Sequence, residues 1–235
     1  MIPLRDDNPT TITPVVTVGL IVANVLVFAY QMSLGLAGEA FVYTFGAVPS
    51  ALFGGESPSP LPPTMTLFTA MFVHGGLMHV GGNMLYLWIF GNNIEDAMGH
   101  GRFVVFYALC GVAAAYAHAL TAPASGVPMI GASGAISGVL GAYLLLFPRA
   151  RVLTLIPLGF YTRLVSVPAG FVLGFWIVIQ VLNGSLSLGR GGGGVAWFAH
   201  VGGFLAGMAL VHVFVRRRPP ARPAAFLDKS SRVPR

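Results

Sequence analysis

Apolar residues in this chain gather in long unbroken runs, not in the alternating or three-to-four spacing of elements with one wet face. Six runs reach or approach the ~20 residues that a helix needs to cross a bilayer core. They cover roughly residues 14–32, 77–94, 103–120, 131–147, 165–182 and 195–215. The fourth is short, so its helix is expected to start inside the bilayer instead of at its edge. No repeat of fixed period is visible.

The connections differ in character. Residues 33–76 form too long a link to be a plain loop and should carry structure of their own. Phe41, Tyr43, Phe45, Leu52 and Phe53 are apolar enough to enter the membrane interface there, and Pro58, Pro60, Pro62 and Pro63 preclude one continuous helix. The stretch 184–194, with four consecutive glycines at its end, suits either a linker or a gate. The expected organisation is a cytoplasmic segment at 1–13, a membrane domain at 14–215 with its outer loop at 33–76, and a basic, disordered cytoplasmic tail at 216–235. The first run is expected to be a retained span. Its leader carries Asp6 and Asp7 beside Arg5, and no small-x-small cleavage site follows at once.

Composition supports a polytopic membrane protein. The chain is 55% hydrophobic and 9% charged, with mean hydropathy +0.78. A soluble domain carries about a quarter charged residues. The net charge of +6 does not argue for nucleic acid, because its placement follows the membrane. With six spans, Arg5, Arg102, Arg149, Arg151, Arg163, Arg216, Arg217, Arg218, Arg222, Lys229, Arg232 and Arg235 share one side, and only Arg190 falls on the other. Basic residues stay in the cytoplasm, so both termini are expected there, and the tail is suited to touch anionic lipid.

Several chemistries are absent. All seven acidic residues lie outside the runs, which leaves no carboxylate for an intramembrane aspartyl pair or an ion-coupled transporter. There is no His-Glu-x-x-His motif, and His74 and His79 have no acidic or thiol partner for a metal. The single Cys110 excludes a disulfide framework and reads as an inert buried thiol.

Three polar islands remain, at residues 74–83, 131–138 and 199–203. Ser133 heads the fourth run after Pro128 and Gly131. A helix starting there has free N–H groups and partial positive charge beside the hydroxyl, suited to a developing oxyanion. On this segment alone a helix-capping serine is the stronger explanation. The pattern also departs from the G-x-S-x-G elbow, since Ala135 replaces the second glycine. His200 changes the balance. It shares a helical face with Gly203 and Gly207, while Ser133, Ser137 and Gly141 form a matching stripe flanked by Gly134 and Gly138. Two such faces could pack closely enough to pair Ser133 as nucleophile with His200 as base. The alternative for His200 is an interhelical hydrogen bond without catalysis. His79, Asn83 and Tyr86 share a face of the second run, and His79 and Asn83 are suitable oxyanion donors, although Asn83 also fits an interhelical bond. With no acid to orient it, His200 should depend on packing, making a dyad instead of a triad. His74 is expected near water or the outer loop; His100, His118 and His212 are expected to be structural.

Taken together, His74-Gly75-Gly76-Leu77-Met78-His79-Val80-Gly81-Gly82-Asn83, Gly131-Ala132-Ser133-Gly134 and Ala199-His200 with Gly203 and Gly207 resemble the rhomboid family of intramembrane serine proteases. The resemblance covers about residues 12 to 215. It implies an all-α, six-transmembrane-helix bundle around a water-filled cavity open to the outside, in a multi-pass protein of the cell membrane. It further implies Ser133 as nucleophile, His200 as general base, and an oxyanion hole from the Ser133 N–H with His79 and Asn83. Substrates would be single-span membrane proteins, cut in or near the transmembrane segment, with no metal, nucleotide or other cofactor. Two departures stand out. The Trp-Arg pair common in the family's first outer loop is missing near Met65 and Thr66, and Ser137 occupies the position of an aromatic that stacks on the histidine in some members. Two other classes compete: a catalytically silent rhomboid-like protein that binds clients, which would lack the Ser or the His, and a small transporter or channel, which the lack of intramembrane charge disfavours.

Overall fold

The computed structural model describes residues 1–158, 161–187 and 196–216. The chain opens with strand β1 (Ile2–Asp6) and rises through α1 (Val15–Ser33). The outer link then folds into short pieces: a 3-10 turn at Gly35–Ala37, α2 (Gly38–Phe45), α3 (Pro49–Leu52), α4 (Pro63–Thr69) and a second 3-10 turn at Ala70–Phe72. The prolines act as expected from their missing N–H. Residues 53–62 are not helical, and α4 starts on Pro63, where a first-turn N–H has no partner to lose.

The second apolar run lies on α5 (Leu77–Tyr86), a π turn at Leu87–Gly91 and α6 (Asn92–Met98), joined without a break. Gly99, at φ +79, then turns the chain into α7 (His100–Ala119). After a loop tied to the outer link by an antiparallel bridge between Ala47 and Met129 come α8 (Ser133–Leu146), α9 (Ala169–Ser187) and α10 (Trp197–Phe214). Among the described residues, α1, α7, α9 and α10 are long and apolar enough to cross a membrane, and α8 is apolar but has only 14 residues. The protein is a mostly helical, multi-pass membrane protein.

Burial follows the membrane. Val22, Leu26, Phe171, Val178 and Val213 are exposed on the outside of the bundle, where lipid is their solvent. Inside stands α8, whose residues 134–143 are all buried. Its neighbours are α7 and α10. Gly203 and Gly207 of α10 lie against the carbonyl oxygens of Gly134 and Gly138, while the Cα sides of Gly134 and Gly138 face Ala114 and Cys110 of α7. Small residues let the backbones touch, which is how helices gain contact where no hydrophobic drive exists between them.

The structure corrects two expectations and adds one finding. The fold is not purely helical. β1 pairs antiparallel with β2 (Arg151–Leu158), which pairs antiparallel with β3 (Tyr161–Pro168). Residues 165–168, assigned from their apolarity to the fifth span, belong to β3, and the helix begins only after Pro168. A short apolar strand and the start of a buried helix are alike in hydropathy, and pairing decides between them. Finally, Glu95 lies outside the apolar runs yet is fully buried. Its carboxylate accepts from the N–H groups of Val16 and Thr17, from the Thr17 hydroxyl and from His100 Nδ1, at 2.6–2.9 Å. It thereby caps the N-terminus of α1, which has no capping side chain of its own. The basic tail from residue 217 and the glycine-rich connection at 188–195, Arg190 included, lie outside the described residues.

Candidate active site

Ser133 is the first residue of α8, preceded by Ala132 at the cap position, and no side chain caps this helix. The capping explanation for Ser133 therefore does not hold. Its hydroxyl is engaged across the bundle instead: Ser133 Oγ lies 2.8 Å from His200 Nε2 on the first turn of α10. One turn on, Ser137 donates its hydroxyl to the Ser133 carbonyl at 2.6 Å. The glycine contacts between α8 and α10 bring Ser133 and His200 within reach, since a larger residue at Gly203 or Gly207 would push the helices apart.

The expectation that His200 is held by packing alone needs revision. Gln180 of α9 places Oε1 2.7 Å from His200 Nδ1. An amide oxygen can only accept, so Nδ1 carries the proton and Nε2 is left as an acceptor for the serine hydroxyl. Aromatic rings complete the support. Trp176 lies 5.8 Å from the imidazole at 37°, and Trp197 meets it edge-on at 6.2 Å. Trp176 thus supplies an aromatic neighbour from α9, where the stacking position on α8 is Ser137.

His79 and Asn83 approach from α5. Gly75 N–H donates to His79 Nδ1 at 3.3 Å, which assigns the proton of the neutral ring to Nε2. That edge faces Gly131. A Cβ on Gly131 would lie 2.6 Å from His79 Nε2, and its φ of +112 also favours glycine, so the residue is required twice over. The same Cβ would come within 3.6 Å of Asn83 Nδ2. His79 and Asn83 therefore line the approach to Ser133.

Of the two expectations for His74, the outer loop holds, since its ring meets the Phe72 carbonyl, and water does not, since the residue is completely buried. Gln31 of α1 clamps its backbone, accepting from its N–H at 3.3 Å and donating to its carbonyl at 2.8 Å. Its ring Nδ1 is 3.3 Å from the Phe72 carbonyl and its Nε2 is 2.9 Å from Asn83 Nδ2, with the Ala132 N–H at 3.5 Å. A ring that donates from Nδ1 must accept at Nε2, so His74 orients the Asn83 amide. The sequence held no signal for this, nor for Gln180. His100 bonds Glu95, while His118 reaches the wall of the cavity without a partner for its Nδ1.

One cavity of about 1570 Å³ is lined among others by His79, Asn83, Ser133, Trp176, Gln180 and His200. The cavity is large enough and polar enough on this wall to hold water. Among the described residues no group of three His, Cys, Asp or Glu side chains is placed to hold a metal. Chemically, the arrangement offers a hydroxyl bonded to a neutral imidazole, with N–H donors nearby.

Residues 63–217 match the model of the Rhomboid domain. The chain is 30% identical over 184 residues, 78% of its length, to the rhomboid protease GluP of Bacillus subtilis. It is 29% identical over 148 residues to the mitochondrial rhomboid protein 1 of Saccharomyces cerevisiae, and 32% identical over 148 residues to the human presenilin-associated rhomboid-like protein. These alignments cover 61% and 62% of the chain, and the matched parts amount to 32%, 40% and 35% of the three relatives in turn. With the family's domain matched over well more than half of its residues, the chain belongs to the rhomboid family.

Proposed function

We propose that this protein is an intramembrane serine endopeptidase that cuts single-span membrane proteins in or near the transmembrane segment. One observation carries the reading: the 2.8 Å contact between Ser133 Oγ and a His200 nitrogen whose partner nitrogen is held as the donor. In this reading all six helical segments span the bilayer, the α5–α6 unit and the short α8 included. Both termini are cytoplasmic, and the protein sits in the cell membrane. The mitochondrial names of two relatives describe those relatives.

The steps follow from the geometry. Ser133 Oγ attacks the scissile carbonyl as its proton passes to His200 Nε2. The carbonyl oxygen gains negative charge, stabilised by the Ser133 backbone N–H at the start of α8, by His79 Nε2–H and by the Asn83 amide. The protonated His200 returns the proton to the leaving amine, and the C–N bond breaks. Water from the cavity then hydrolyses the serine ester. A helical substrate hides its carbonyls in hydrogen bonds, so it must unwind first, which favours glycine or other helix-weakening residues near the cut.

The test is incubation of purified wild type and Ser133→Ala in proteoliposomes with a panel of single-span substrates, with mass spectrometry locating the cut. Cleavage by the wild type alone supports the proposal. Equal cleavage by Ser133→Ala, or client binding without any cleavage, overturns it.

A further inference from the structure

Gln180 is the polar residue of α9 that meets the catalytic pair, and it is 5% exposed. Two hydrogen bonds fix its amide. Nε2 donates to the Trp176 carbonyl one turn earlier at 3.3 Å, so the oxygen is the end left to face His200. That oxygen takes the Nδ1 proton at 2.7 Å. A neutral imidazole has one proton and two places for it, and only the Nδ1–H form leaves Nε2 free to accept from Ser133. The other tautomer would point an N–H at the hydroxyl and could not act as base.

We infer that Gln180 is a positioning residue: its side-chain oxygen selects the reactive tautomer of His200 and holds the ring plane toward Ser133. The inference rests on the protease reading and adds a third member to what the sequence presents as a pair. It is a neutral counterpart of the carboxylate that orients histidine in triads. A neutral acceptor suits this location, because a charged one would be costly to bury in hydrocarbon. Gln180 also makes the pair depend on α9. The nucleophile comes from α8, the base from α10 and the tautomer from α9, so productive geometry needs three helices in register.

The test compares wild type, Gln180→Leu, Gln180→Glu and Ser133→Ala in proteoliposomes, with thermal unfolding to verify folding. Gln180→Leu keeps the approximate volume and removes the acceptor. It should lower kcat by about tenfold, the scale of one net hydrogen bond, while KM stays within about twofold. Gln180→Glu, kept neutral by the same burial, retains a carbonyl oxygen for His200 Nδ1 and an O–H for the Trp176 carbonyl, and should recover most of the lost kcat. Nitrogen-15 NMR of the histidine rings, with the His200 signal assigned by its loss in His200→Ala, should show Nδ1 protonated in wild type and a mixture of tautomers in Gln180→Leu. Wild-type kcat in Gln180→Leu, equal losses in the Leu and Glu variants, or an Nε2-protonated ring in wild type would each overturn the inference. If wild type cleaves nothing, the protease reading fails, and the ring signals still decide whether Gln180 sets the tautomer.

Discussion

Gly207 of α10 lies directly on the carbonyl oxygen of Gly138 of α8, leaving no room for a side chain between the two helices. Four residues earlier Gly203 repeats the contact on Gly134. These two contacts set the separation of Ser133 from His200, so packing and chemistry are one feature here. Gly207→Val puts two methyls against backbone that cannot yield. It should destabilise the protein by about 3 kcal/mol and lower cleavage, both read from thermal unfolding and turnover of the same sample. A stable, fully active variant would mean that the helix spacing is not set here.

Ser133 and His200 should behave as one unit. Ser133→Ala, His200→Ala and the double variant are each expected to abolish cleavage to the same background, because neither residue acts without the other. Each should keep the fold, since both side chains face the cavity. A fluorophosphonate probe should label wild type and not Ser133→Ala. Chelators should leave the rate unchanged.

His74 should act through Asn83. Removing its ring in His74→Ala leaves the Asn83 amide without the acceptor that orients it. Activity is expected to fall by roughly tenfold, the value of one net hydrogen bond. The decisive measurement is a double-mutant cycle with Asn83→Ala. The double variant should be little worse than Asn83→Ala alone, whereas independent sites would add.

Glu95 should be a determinant of stability and not of chemistry. Its carboxylate satisfies four donors around the start of α1, and Glu95 is not among the residues that line the cavity. Glu95→Ala should cost on the order of 3 kcal/mol by leaving buried donors unpaired. Protein that remains folded should keep wild-type kcat, measured below the unfolding transition.

Asp6 supplies a pH signature. It accepts from the Tyr143 hydroxyl at 2.6 Å, joining strand β1 to the far end of α8. Burial raises its carboxyl above the ordinary 3.8, and the Tyr143 bond offsets only part of that. A carboxyl that holds its proton more tightly folded than unfolded contributes stability that is present below 3.8 and is lost as pH rises through the folded value. Asp6→Asn keeps an acceptor for Tyr143 and removes the titration. Unfolding midpoints should therefore fall more in wild type than in Asp6→Asn as pH is raised from 3.5 to neutrality. Parallel curves would exclude the effect.

The apolar runs were legible because hydrophobic length is a property of consecutive residues. Five of the six fall on helices nearly as bounded, and the polar islands at His74–Asn83, Ser133 and His200 stood out against them. Where the pattern misled, a partner distant in the chain was responsible. Residues 165–168 are as apolar as a helix start, and only their pairing with residues 151–154 makes them strand. Glu95 lies outside every apolar run, and its burial comes from the N-terminus of α1 packed over it.

The sequence by itself determined the solvent, the number of apolar runs and the identities of the hydroxyl and the imidazole, since each is carried by residue type and local order. Tertiary structure decided which nitrogen of His200 bears the proton, what orients Asn83, and why α8 can sit between α7 and α10. Those depend on Gln180, His74 and Cys110, whose partners lie 20, 9 and 28 residues away. Hydrogen bonds and backbone contacts act over a few ångströms of space, and separation along a chain does not encode that distance.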